Sequence, residues 1–225
     1  MLPKKLEGIT NVHVIIDYAN LKASAHYMKR YTNLEILYEY LTSLEYVSKV
    51  SIYYGTDPRN PKSFKFMNWL RKTGYEVITK EVKYIKINIK ELVSMGRNRI
   101  LLEKLDKGVV ENFLQGIDTL DQSERYLELK KCNLDIEIAL DIFQNLDLYD
   151  GYILFSGDGD FESIIKLARA EEKHVTVVTL RKFLAGELIK NSDKFINLKA
   201  FLSLEGFLYD FPPDDSSIEK EEAES

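Results

Sequence analysis

One cysteine, three histidines and five prolines in 225 residues exclude several classes of protein at once. A single thiol, Cys132, forms no internal disulfide and suits a reducing compartment, not a stapled secreted scaffold. His13, His26 and His174 are scattered, so a His/Cys zinc site lacks its ligands. No 18-residue apolar run exists, and the opening MLPKKLEGITNVHVIID is too polar for a secretion signal. The expectation is a soluble, cytoplasmic protein with no membrane partner.

Basic charge also looks scarce, at a net −5, until it is located. Residues 210–225 carry seven acids and one lysine, a local −6 that leaves the preceding 209 residues near +1. This tail, FPPDDSSIEKEEAES with Asp210 before it, has two prolines and few apolar residues, and is expected to be disordered. The remaining 1–209 read as a single domain, and a 45% hydrophobic composition is enough for a proper core.

Short apolar runs alternate with helix-like segments, the pattern of a parallel α/β sheet. Strands are expected at Val12–Asp17, Val50–Gly55, Tyr75–Val82, Tyr152–Ser156 and Val175–Leu180, with a weaker one near Phe195–Leu198. Helices are expected at 33–46, 61–73, 134–147, 160–171 and 184–191. HVIID and VSIYYG are continuous apolar stretches, as when helices cover both faces of a sheet, so the layout is three-layered and doubly wound. The rhythm fails over 83–129, which reads as an ordered helical insertion around Ile89–Lys107 followed by a turn-like GIDTLDQSE. Residues 80–107 hold eight Lys or Arg against four acids, a phosphate-binding lobe or an ordinary solvated basic face.

Ligands of doubly wound sheets bind beyond the carboxyl ends of the strands, where the winding reverses. Asp17 ends the first strand, and Asp158 and Asp160 follow the fourth in FSGDGDF. Chain order sets the fourth strand beside the first, so these carboxylates should meet. In KKCNLDIEIALDIF, Asp135 falls in the first turn of a helix, while Asp141 lies about 120° away around it and Glu137 points to solvent. Clustered carboxylates repel unless a cation neutralises them, and oxygen-only ligation suits Mg²⁺ or Mn²⁺. Such an ion lowers the pKa of water and stabilises charge on a phosphodiester, which points to hydrolytic phosphoryl transfer. Asn20 either caps the next helix or contacts a phosphate, Lys131 either reaches a phosphate or is an ordinary surface lysine, and Ser156 bonds a carboxylate or the turn.

Taken together, IIDYAN, KCNLDIEIALD and LFSGDGDF, followed by VTVVTL and NSDKFINL, resemble the NYN-domain family of the PIN-like nucleases, especially its LabA-like branch. The resemblance covers 12–82 and 131–200 and leaves the insertion and tail unmatched. It implies a PIN-like fold and a metal-dependent endoribonuclease whose catalytic, metal-binding centre is Asp17, Asp135, Asp158 and Asp160, with Asn20 and Lys131 as polar partners and RNA as substrate.

Two rivals fail on their own residues. A dinucleotide fingerprint needs glycine where Glu162 stands, and an EF-hand loop needs a glycine at Ser163 and a glutamate at Arg169. The alternative that remains is an inactive NYN-fold protein that binds RNA or serves as an adaptor; its 14 Tyr and 11 Phe would offer stacking surfaces if they were not mostly at core spacing. The apolar residues of LSLEGFLYDF, 202–211, cover either the protein's own core or a second subunit, which leaves a homodimer open.

Overall fold

Apolar β-branched runs have no stable place but a sheet covered on both sides, and the computed structural model, which describes residues 2–94, 96–203 and 207–210, arranges them so. The chain begins β1 (Val12–Asp17), α1 (Tyr18–Tyr27), β2 (Arg30–Thr32), α2 (Leu34–Thr42), β3 (Val47–Thr56), α3 (Pro61–Thr73) and β4 (Glu76–Glu81). Next come β5 (Lys83–Asn88), α4 (Ile89–Ser94), α5 (Gly96–Leu102), α6 (Lys107–Thr119) and β6 (Tyr126–Lys131). It continues with α7 (Asp135–Gln144), β7 (Gly151–Phe155), a 3₁₀ turn (Gly159–Phe161), α8 (Glu162–Ala170), β8 (His174–Thr179), α9 (Gly186–Asn191), β9 (Lys194–Asn197), α10 (Leu198–Leu202) and β10 (Leu208–Asp210).

Six strands form one parallel sheet in the order β4-β3-β1-β7-β8-β9. Successive β1 residues feed opposite faces: Val14 and Ile16 join Leu37, Leu41, Phe66, Leu70 and Phe201 in one core, and Ile15 joins Ile138, Ile142, Ile165 and Leu188 in the other. Helices therefore cover both faces in three layers, as expected. The winding reverses between β1 and β7, whose register sets Ile16 level with Phe155, so Asp17 and Ser156 leave the sheet side by side.

Several boundaries differ from expectation for local reasons. The helix expected over 33–46 starts after its N-cap, Asn33, and stops at Thr42; Leu44 and Tyr46 are buried in the turn that leads into a longer β3. The helix expected over 134–147 ends at Gln144. The helix expected to open at Asn20 starts at Tyr18 as α1, and the small antiparallel pair β2 and β10 is an addition. Phe207 is 4% exposed and packs with Phe201 and Tyr40, so this part of 202–211 covers the protein's own core. Asp210 closes β10, and the rest of the expected tail, 211–225, lies outside the described residues.

The chain divides into two compact units, one of 1–81 with 133–225 and one of Val82–Cys132. The smaller unit is not purely helical. It opens and closes with an antiparallel hairpin in which β5 pairs β6 from Lys83↔Lys131 to Asn88↔Tyr126. Gly116–Thr119, expected as turn, completes α6, whose Ile117 is buried; Arg125 closes the following turn on the Leu120 and Asp118 carbonyls at 2.9 and 2.7 Å. Among the described residues, no helix is long and apolar enough to cross a membrane.

Candidate active site

Asp17 is the last residue of β1 and the N-cap of α1, accepting the Asn20 N–H on Oδ1 at 3.1 Å. The cap is thus Asp17 and not Asn20. Its other oxygen accepts the Ser156 hydroxyl at 3.1 Å, and that hydroxyl in turn accepts the Asp158 N–H at 3.3 Å. Ser156 is fully buried, so one side chain couples the ends of β1 and β7. Asp158 caps the 3₁₀ turn through the Asp160 N–H at 3.0 Å, and Asp160 follows in that turn.

The close approach of a third segment explains the glycine before Asp158. A Cβ on Gly157 would lie 2.4 Å from the Phe183 carbonyl oxygen and 2.9 Å from Thr179 Oγ1, and the Ala185 N–H bonds the Gly157 carbonyl at 3.1 Å. Thr179, at the end of β8, donates to Asn20 Oδ1 at 3.3 Å. Asn20 is thus held against the loop after β8.

Asp135 comes from the far side of the chain, at the first position of α7. Its N–H is held by the Asn133 side-chain oxygen at 2.8 Å, and Lys80 at the end of β4 secures the same turn, donating to the Asn133 carbonyl at 3.0 Å and pairing with Glu137 at 2.7 Å. Glu137 therefore does not point to solvent as expected; the Lys80 ammonium holds its carboxyl below the usual range, and its second oxygen is enclosed. Asp141, as expected, serves the core: it accepts the Tyr53 hydroxyl and the Asn145 amide.

Ligand oxygens of Asp135, Asp158 and Asp160 all lie within 4.8 Å of one another. Asp17 is not in that group, although it feels the charge of Asp135: burial raises its carboxyl above 3.8, the Asn20 and Ser156 hydrogen bonds oppose this, and the Asp135 charge adds to the rise. Burial likewise raises Asp135, opposed by Asn133 and reinforced by Asp158, Asp160 and Glu137. Three oxygen donors that repel one another, with open coordination around them, fit a hard divalent cation that keeps several waters, as Mg²⁺ and Mn²⁺ do. Lys131 lies on β6 in the smaller unit with an exposed side chain.

Thr179, Asn133 and Lys80 were not anticipated. Thr179 had a legible signal, a hydroxyl ending the apolar run VTVVT, and Asn133 had another, an Asn two residues before a helix start. Lys80 had none, being brought in by strand pairing.

The NYN domain profile matches residues 107–201. Low amplitude and bright protein LabA of Synechococcus elongatus is 45% identical over 78 residues, which span 35% of this chain and 42% of that protein. In overall fold the chain is similar to a protein of unknown function from Vibrio parahaemolyticus, with a TM-score of 0.58 at 20% identity, covering 91% of this chain and 99% of the other. Over residues 107–201, less than half of its length, the chain is thus similar to NYN domains, and over a shorter stretch to LabA.

Proposed function

We propose that this protein is a divalent-metal-dependent endoribonuclease of the cytoplasm, with 83–129 an insertion in a single nuclease domain. The NYN domain belongs to the PIN-like nucleases, and the observation that carries the proposal is the convergence of Asp135, Asp158 and Asp160 within 4.8 Å, from segments either side of β7, at the switch point of the sheet.

Asp135, Asp158 and Asp160 would hold Mg²⁺ or Mn²⁺, which supplies Lewis acidity toward a phosphate oxygen and lowers the pKa of water. Asp17, raised by burial, stands ready to accept a proton from water attacking the phosphodiester, while Ser156 fixes its orientation. Asn20 donates its amide to a phosphate oxygen, its own oxygen being occupied by Thr179. Lys131 and the basic residues of 82–132 contribute phosphate contacts, so RNA binding weakens as salt rises.

Labelled single-stranded RNA incubated with Mn²⁺ or Mg²⁺, with EDTA, and with the Asp158→Asn variant tests this. Cleavage is expected only with metal and the intact aspartate. Cleavage that survives either removal refutes the site, and binding without any cleavage favours the inactive adaptor.

A further inference from the structure

Outside the acidic crevice lies an aromatic group that the reading above does not use. Tyr27, the last residue of α1, is 54% exposed. Its ring meets Phe183 edge-on with centroids 5.6 Å apart, and the Lys182 ammonium stands over it at 3.9 Å from the centroid. Lys182 is exposed, as is Arg181 before it in the chain.

This group is continuous with the active-site turn. Asn20 and Tyr27 share one stripe of α1, seven residues and thus about 10 Å apart along the axis and about 20° apart around it. The loop after β8 follows that stripe: Thr179 bonds Asn20, Phe183 packs on Tyr27, and the Phe183 carbonyl lies against Gly157, next to Asp158.

We propose that Tyr27, backed by Phe183 and covered by Lys182, is a stacking subsite for an unpaired base of single-stranded nucleic acid whose scissile phosphate lies at the aspartates; it rests on the ribonuclease reading. An exposed cation–π contact is weaker than base–aromatic stacking, so a base displaces the Lys182 ammonium from the ring and the freed ammonium meets the adjoining phosphate. Stacking on a ring face does not read a base edge, so the subsite accepts any base.

The test is fluorescence anisotropy with a labelled oligouridine of about 12 nucleotides, on Asp158→Asn protein so that the probe stays intact. Tyr27→Ala should weaken binding about 5- to 100-fold, while Tyr27→Trp keeps it. Lys182→Met should lower the slope of log affinity against log salt by about 0.7. Melting curves check that these surface variants fold. Unchanged affinity in Tyr27→Ala overturns the subsite and leaves the nuclease reading intact. An equal loss on a blunt duplex overturns stacking. Absence of binding, with no metal-dependent cleavage by the unmodified protein, sinks both.

Discussion

Gly157→Ala is the smallest change that should break the site. The added methyl would meet the Phe183 carbonyl oxygen at 2.4 Å, the Phe183 carbonyl carbon at 2.9 Å and Thr179 Oγ1 at 2.9 Å. Two of these atoms are backbone, and Thr179 is fully buried, so no flexible side chain can swing away. Either the 183–185 segment lifts, losing the Ala185 to Gly157 hydrogen bond, or the turn carrying Asp158 shifts. Overpacking of this kind costs about 1–3 kcal/mol, which at roughly 2–4 °C per kcal/mol for a chain of this size lowers Tm by about 2–12 °C. A shift of about 1 Å at a reacting group is worth up to about 10²-fold in rate. Gly159→Ala is the internal control: its methyl would meet only the Ala185 Cβ, at 3.3 Å, and should cost well under ~1 kcal/mol. Differential scanning fluorimetry and Mn²⁺-dependent RNA cleavage read the two variants side by side. If Gly157→Ala melts within about 1 °C of the unmodified protein and cleaves as fast, the account of this turn is wrong.

Other outcomes follow from the buried polar groups. Asp17 and Asp135 have folded-state pKa values above 3.8, so their contribution to stability is complete below that pH and lost as pH rises through the raised values; urea melts in EDTA should show this fall, and Asp135→Asn should flatten it. His13 has the opposite sign: burial lowers it from 6.5 to about 4, and stability is lost on acidification across that window, by roughly 3 kcal/mol, in a way that His13→Gln should abolish. Tyr53→Phe removes a hydrogen bond to the Asp141 carboxylate and should cost about 1.5–3 kcal/mol in denaturant melts while leaving cleavage unchanged.

How much of this was legible depended on whether a residue's partners were near it in the chain. The strands announced themselves because a parallel sheet buried on both faces demands runs such as VHVIID and GYILF, and chain order then fixed β7 beside β1. Helix α1 was expected only from its opening near Asn20, and its extent was not legible because it buries Leu21, Ser24 and Ala25, which give little apolar period. The alternation of Lys and Ile in KYIKIN was readable as a strand, but its partner YLELKK begins 43 positions beyond the first lysine of the hairpin, so the pairing was not. Helical geometry separated Asp135 from Asp141, yet it could not foresee that Lys80 from a different strand would claim Glu137. That Asp158 and Asp160 face Asp135, with Asp17 bound instead to Ser156, is a fact of tertiary register, which spacing alone does not encode.

The hairpin that opens and closes the smaller unit has an evolutionary consequence. Because Lys83 and Lys131 are cross-strand neighbours, the polypeptide departs and returns through points about 5 Å apart. A segment so joined behaves as a cassette: it can be exchanged, shortened or bridged by a tight turn without asking β4 or α7 to move. A lineage can thus replace this segment while the carboxylates at the ends of β1 and β7 stay where the sheet sets them.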